Sequence, residues 1–137
     1  MHKIYFSIFS LLLFPSLLFS QAVLEADGPG NTYELINSVL APGYDVVESP
    51  DCGHPSFGRH IEEVFDSTLN KYVFLFHLHK TPDNDRCINF DRQRNEIKTY
   101  DKSPDSLLGV IGEVVEYRWK FKLDANFQPS GSFSHLH

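Results

Sequence analysis

The sequence lacks the short motifs that mark several common enzyme classes. It has only two cysteines and no CxxC pair, so nothing supports zinc-ribbon chemistry. A GxSxG nucleophile turn, a phosphate-binding loop and a dinucleotide-binding GxGxxG are also absent. Cationic residues are few, with 12 Lys and Arg against 18 Asp and Glu. The resulting net charge of −6 argues against a general nucleic-acid binder, which normally carries a basic excess.

No run of 18 apolar residues occurs after residue 20, which excludes a helical membrane span from the rest of the chain. The first 22 residues have the layout of a secretory signal peptide: a basic start at Lys3, an apolar stretch over 4–19, and small residues near Ala22. A retained membrane anchor is the alternative. We therefore predict a secreted or periplasmic protein with no membrane contact after cleavage and one domain over 23–137.

Export from the cell bears on the state of the two cysteines. An oxidising compartment favours a disulfide between Cys52 and Cys87, with two buried free thiols or metal ligation as alternatives. In the chain-entropy description, a bridge that closes a loop of about 36 residues stabilises the fold by about 3–4 kcal/mol.

Most of the chain after residue 45 has the pattern of β-structure. A hairpin is predicted from the runs 60–66 and 71–79, and the alternation of apolar and polar residues over 113–123 predicts a further strand. Other strands are predicted at 46–48, over 87–100 and from 131, and one or two helical turns within 32–40. Several strands separated by Gly and Pro turns indicate an all-β fold, an antiparallel β-sandwich.

The run 89–100 is unusual for a strand because it is polar on both faces. Side chains that alternate along a strand share a face, and here one face carries three cations and a carboxylate: Arg92, Arg94, Glu96 and Lys98. Such a row can bind the carboxylates of an acidic polymer, because guanidinium groups recognise carboxylates in a bidentate manner. The alternative is a solvated outer face whose ion pairs contribute little.

Histidines form two further pairs with strand spacing, His77 with His79 and His135 with His137. Histidines at this spacing can bind a metal or act as general bases, although ordinary strand surface is the alternative for both pairs. His54 and His60 have no partner pattern and are interpreted as loop residues. The loop 83–85 has oxygen donors suited to calcium, but such loops are more often plain turns. No metal or cofactor is assigned.

Four segments resemble a known family. Arg94-Asn95-Glu96-Ile97-Lys98 is similar to the R-[ST]-E-L-R strand motif of alginate lyases that have a concanavalin-A-like jelly roll. The turn over 103–109, the aromatic strand over 117–123 and the terminal run 133–137 are similar to secreted proteins of the same broad group, including glucuronan-lyase-like proteins. The resemblance implies a jelly-roll polysaccharide lyase, here apparently incomplete, because the family has further strands and a late tyrosine motif beyond the position of residue 137.

The resemblance also implies a reaction and its residues. The reaction is β-elimination on a uronic-acid polysaccharide, with no cofactor, in which cations neutralise the sugar carboxylate and a base removes the C5 proton. The implied catalytic residues are His137 or His135 as the base, together with Arg94. The implied substrate-binding residues are Arg92, Arg94, Glu96 and Lys98.

Two departures from the family motif are the amide at Asn95 and the lysine at Lys98. If the chain is truncated, we expect it to be inactive. The alternative functions are a module that binds acidic glycans without cleaving them and a structural protein that binds no glycan.

Overall fold

The computed structural model describes residues 21–79, 86–89 and 94–129. Within these ranges there are one α-helix, four short strands and two single 3-10 turns. In chain order they are α1 (Thr32–Leu40), β1 (Val47–Glu48), a 3-10 turn (Asp51–Gly53), β2 (Ile61–Asp66), β3 (Lys71–Phe76), β4 (Glu96–Ile97) and a 3-10 turn (Asp105–Leu107).

The predicted all-β sandwich, a concanavalin-A-like jelly roll, is wrong. The described strands form two separate two-stranded antiparallel sheets, β1 with β4 and β2 with β3, and these do not stack as two faces of a sandwich. A sandwich needs several adjacent strands on each side of a shared core. Two strands of two residues each and one hairpin are too few to form such layers.

Helix α1 confirms the predicted helical turns and is longer than one turn. Asn31 occupies the N-cap position, and its carbonyl oxygen accepts a hydrogen bond of 2.8 Å from the Leu35 amide. Ile36 and Thr32, four residues apart, are buried on the same side of the helix. The helix stops at Leu40 because Pro42, two residues later, has no amide hydrogen to continue the ladder.

The predicted hairpin is confirmed as β2 and β3, although its second strand ends at Phe76 rather than at His79. The strands pair from Ile61 with Phe76 to Asp66 with Lys71. The Asp66 carboxylate closes the turn by accepting hydrogen bonds from the Thr68 and Leu69 amides, at 2.8 and 3.0 Å. This local side-chain bonding is typical of aspartate at the start of a turn.

A small core lies where α1 packs against the hairpin and β1. Four apolar residues are buried in it, and seven partly buried residues surround them. The buried residues are Ile36, Ala41, Val46 and Ile61, and those packed around them are Leu24, Tyr33, Leu40, Val47, Phe74, Ile97 and Tyr100. The core therefore joins segments from residue 24 to residue 100.

The strand predicted over 113–123 is absent from the described structure. The five apolar side chains that were predicted to share a buried face are all exposed, including Trp119 at 59% and Phe121 at 66%. A strand forms only where a neighbouring strand accepts its backbone hydrogen bonds, and none of the described segments pairs with this one. Of the strand predicted over 87–100, the described residues 87–89 and 94–100 contain β4 alone.

Several predictions fall on residues outside the described ranges. They are the signal peptide up to Ser20, the loop 83–85, Arg92, and the last strand with His135 and His137. Among the described residues, no helix has the length and apolar character needed to cross a bilayer.

Candidate functional site

Three cationic side chains converge on one buried carboxylate where β1 pairs with β4. Glu48 has 7% of its side chain exposed and forms ion pairs with Arg94 and Arg86, at 2.8 and 2.9 Å, and with Lys98. We refer to Glu48, Arg86, Arg94 and Lys98 as the ion cluster. The strand register explains this arrangement, since Glu48 lies directly opposite Glu96 and both flanking cations of β4 therefore reach it.

The ion cluster keeps Glu48 ionised despite its burial. Burial alone would raise the pKa of this carboxyl group. Hydrogen bonds from Lys98 and Arg94, and the positive charge of Arg86, outweigh that effect and lower the pKa below its usual value. The carboxylate therefore organises the three cations around itself. Each cation nevertheless keeps about a third of its side chain or more exposed to solvent, at 41% for Arg86, 32% for Arg94 and 40% for Lys98.

The structure brings together three of the four substrate-binding residues that the sequence indicated. Arg94 and Lys98 share Glu48, and the Arg94 Nε lies 3.4 Å from a carboxylate oxygen of Glu96. The fourth residue, Arg92, lies outside the described ranges, as do both candidate bases. Sequence reasoning did not identify Glu48, because a single glutamate in a short strand carries no signal of its own.

Asn95 connects the ion cluster to the hairpin. Its side-chain amide donates hydrogen bonds to the carbonyl oxygens of His60 and His77, at 3.0 and 3.1 Å. These carbonyls flank the open end of the hairpin, where β2 begins and β3 ends. Asn95, at which the sequence differs from the alginate-lyase motif, therefore holds the 94–98 segment against the hairpin.

A second group of side chains lies at that end of the hairpin. The rings of His54, His60 and His79 lie against one another, with centroids 4.3 to 5.1 Å apart. We refer to these three residues as the histidine cluster. Each of them has a ring nitrogen within 4.8 Å of a ring nitrogen of the others. The rings of His77 and His79 both contact the ring of Phe57, with centroids 5.0 and 4.5 Å away, but His77 also pairs with Glu62 at 2.6 Å.

Asp51 fixes the orientation of His60. The Asp51 Oδ1 accepts hydrogen bonds from the His60 Nδ1 at 2.7 Å and from the His60 amide at 3.1 Å. The hydroxyl of Tyr33 donates to the same carboxylate, at 2.9 Å to Oδ2. Burial would raise the pKa of Asp51, but hydrogen bonds from Ser49, His60 and Tyr33 lower it overall. The carboxylate of Asp51 is therefore the acceptor in its hydrogen bonds with His60 and Tyr33.

The disulfide predicted between Cys52 and Cys87 is confirmed and lies beside the histidine cluster. Its Cα atoms are 6.1 Å apart, and it ties residues 86–89 to the first 3-10 turn, which immediately precedes His54. The ring of Phe57 covers the cluster on another side, with centroids 4.5 Å from His79 and 4.9 Å from His60. The sequence showed no pattern linking His54, His60 and His79, because they come from three separate places: a loop, the residue before β2 and the segment after β3.

Comparison with known proteins found no match: no family model, no curated protein and no solved structure is similar to the chain.

Proposed function

We propose that the protein binds a polysaccharide rich in uronic acids and acts on it by β-elimination, with the ion cluster as the carboxylate-binding part of its site. The observation that supports this is the convergence of Arg86, Arg94 and Lys98 on one buried carboxylate. Cations held in place by Glu48 lose less side-chain entropy when they bind a sugar carboxylate than freely moving ones do.

The chemistry requires a cation beside the carboxylate of the substrate. The proton at C5 of a uronate is weakly acidic, so the negative charge that develops on its removal needs stabilisation. The base takes that proton, the C4–O bond breaks, the departing sugar oxygen gains a proton, and a C4–C5 double bond remains. Arg94 is proposed to stabilise the charge. By the family resemblance, His137 or His135 is proposed as the base.

The test is retention on three immobilised polymers, alginate, glucuronan and pectate. We expect the wild-type protein to be retained and to be released by salt, because screening weakens contacts between exposed charges. The variants Arg94→Ala and Lys98→Ala should elute at lower salt. Arg118→Ala is the matched control, since it removes an exposed cation that lies outside the ion cluster. Among the described residues, Arg118 forms an ion pair with its near neighbour Glu116, at 2.6 Å.

A second readout separates cleavage from binding. Rising ultraviolet absorbance of unsaturated uronate products supports the lyase, whereas retention without new double bonds supports the alternative, a non-catalytic module that binds acidic glycans. Absence of retention on all three polymers, for a protein that still melts cooperatively, would contradict both. An equal loss in Arg118→Ala would show that the binding reflects general charge and not the ion cluster.

A further inference from the structure

We propose that the histidine cluster is a binding site for a divalent transition-metal ion of the zinc class, with His54, His60 and His79 as ligands. This site is separate from the ion cluster and does not depend on the proposed glycan chemistry. Imidazole nitrogens are preferred ligands of Zn²⁺, and three histidines with an open fourth position are a known form of zinc site.

His60 gives the strongest indication. Its side chain is fully buried, and its Nε2 atom has no hydrogen-bond partner among the residues that the structure describes. Nδ1 is engaged by Asp51, so Nε2 is the ring nitrogen that is left to bind a ligand, and the candidate ligand atoms of the three histidines all lie within 4.8 Å of one another. A buried polar atom without a partner is unfavourable, and a bound cation would remove this penalty.

Asp51 completes the arrangement expected around a metal-bound histidine. Histidine ligands usually donate their second ring N–H to a carboxylate, which fixes the ring and makes the other nitrogen a better ligand. The Asp51–His60 hydrogen bond of 2.7 Å is of this kind. Asp51 is itself held by Tyr33, so the ring of His60 is oriented in advance of binding.

The distances between the candidate ligand nitrogens fit a site that contracts when the ion binds. The candidate ligand nitrogens all lie within 4.8 Å of one another. In a tetrahedral zinc site with Zn–N bonds of about 2.1 Å, ligand nitrogens are roughly 3.4 Å apart. His54 and His79 are only partly buried, so rotation of their side chains can bring their nitrogens to this separation. The adjacent ring of Phe57 supplies the apolar shell that limits access of water to such sites.

The experiment is a titration of metal-free protein with Zn²⁺ by calorimetry, with Co²⁺ as a spectroscopic probe of coordination. We expect one Zn²⁺ per chain, a rise in melting temperature, and a Co²⁺ absorption spectrum typical of four-coordinate nitrogen and oxygen ligands. His54→Asn and His79→Asn should each weaken binding by at least about tenfold, and Asp51→Asn by about 10–100-fold, as for other residues that orient a ligand. His77→Asn is the matched control, because His77 lies on the same hairpin but pairs with Glu62.

A measurement on the unaltered protein guards against variants that fail to fold. Zn²⁺ should protect the partly exposed His54 and His79 from acylation by diethylpyrocarbonate and leave the labelling of His77 unchanged. No Zn²⁺ binding to the wild-type protein would overturn the proposal. So would an equal loss of affinity in His77→Asn, or protection confined to other histidines.

Discussion

Residues 24–107 and residues 108–129 behave differently although both are rich in apolar side chains. The first region contains every described helix and strand, the buried residues of the core and the disulfide. The second region contains neither helix nor strand among the described residues, and its large apolar side chains are exposed, with Val114 at 97% and Trp119 at 59%.

The difference shows that alternation along a sequence is insufficient to form a strand. The run 113–123 has the most regular alternation in the chain, whereas the strands that do form are less regular. β2 and β3 lie next to each other in the sequence and are joined by a short turn, so their pairing requires little loop closure. Once paired, one side of the hairpin is covered by α1, and burial of that face stabilises both elements.

The largest effect is expected from the disulfide, which belongs wholly to the first region. Replacing both Cys52 and Cys87 with Ala removes a link between positions 35 residues apart. In the chain-entropy description this should lower the free energy of unfolding by about 4 kcal/mol. Urea denaturation followed by circular dichroism measures the change, and chemically reduced wild-type protein is the control. Equal midpoints for oxidised and reduced protein would contradict the expectation.

A pair of matched substitutions compares the two regions directly. Ile61→Ala removes a fully buried side chain and should lower the free energy of unfolding by about 3 kcal/mol, within the range for core isoleucines. Val115→Ala removes an exposed one and should change it by less than about 0.5 kcal/mol. Thermal and urea denaturation of both variants give the values. If Val115→Ala were the more damaging, the second region would be packed in solution and the contrast would be lost.

A smaller effect is expected from acid. The pKa values of Glu48 and Asp51 are lowered in the folded protein, so their ionised forms stabilise it above the unfolded pKa of about 4. That stability should be lost as the pH falls below about 4 and through the folded values. After allowing for solvent screening, we expect about 1 kcal/mol in total.

Melting temperatures between pH 7 and pH 2.5 test this expectation. The double variant Glu48→Gln and Asp51→Asn should show a flatter decline with falling pH than the wild type. Glu34 provides a comparison in the same region: its pKa is lowered to about 2, chiefly by its hydrogen bonds from Arg59, but the pair is exposed. Glu34→Gln should flatten the decline less than the double variant does, because solvent screens the exposed pair. Parallel profiles for the wild type and the double variant would show that neither carboxylate contributes.

The local elements of the fold were predictable from the sequence, whereas its architecture was not. The hairpin, α1 and the short strand at β1 follow from alternation, capping residues and turn residues, which act within a few positions. The jelly roll required many pairings between distant strands, and neither alternation nor turn residues specify which strands pair. Within the described residues 94–100, only the two that lie opposite β1 form a strand, which shows how strongly a strand depends on its available partner.

The ion cluster was likewise predictable only in part. Arg94, Glu96 and Lys98 were predicted to share a face because alternation places them there, and their contacts agree with this. The carboxylate that they surround, Glu48, comes from a strand nearly 50 residues earlier and was not predicted.

The sequence by itself determined the hairpin, α1, the candidate disulfide and the row of alternating charges around β4, because each depends on residue type and short-range periodicity. Only the tertiary structure decided that the charged row closes on Glu48 and that His54, His60 and His79 meet beside Asp51. The first contact depends on the pairing of β1 with β4, and the second on the contact of the loop after the first 3-10 turn with the open end of the hairpin. Both are stabilised by packing and hydrogen bonds between residues far apart in the chain, for which one sequence contains no repeating pattern.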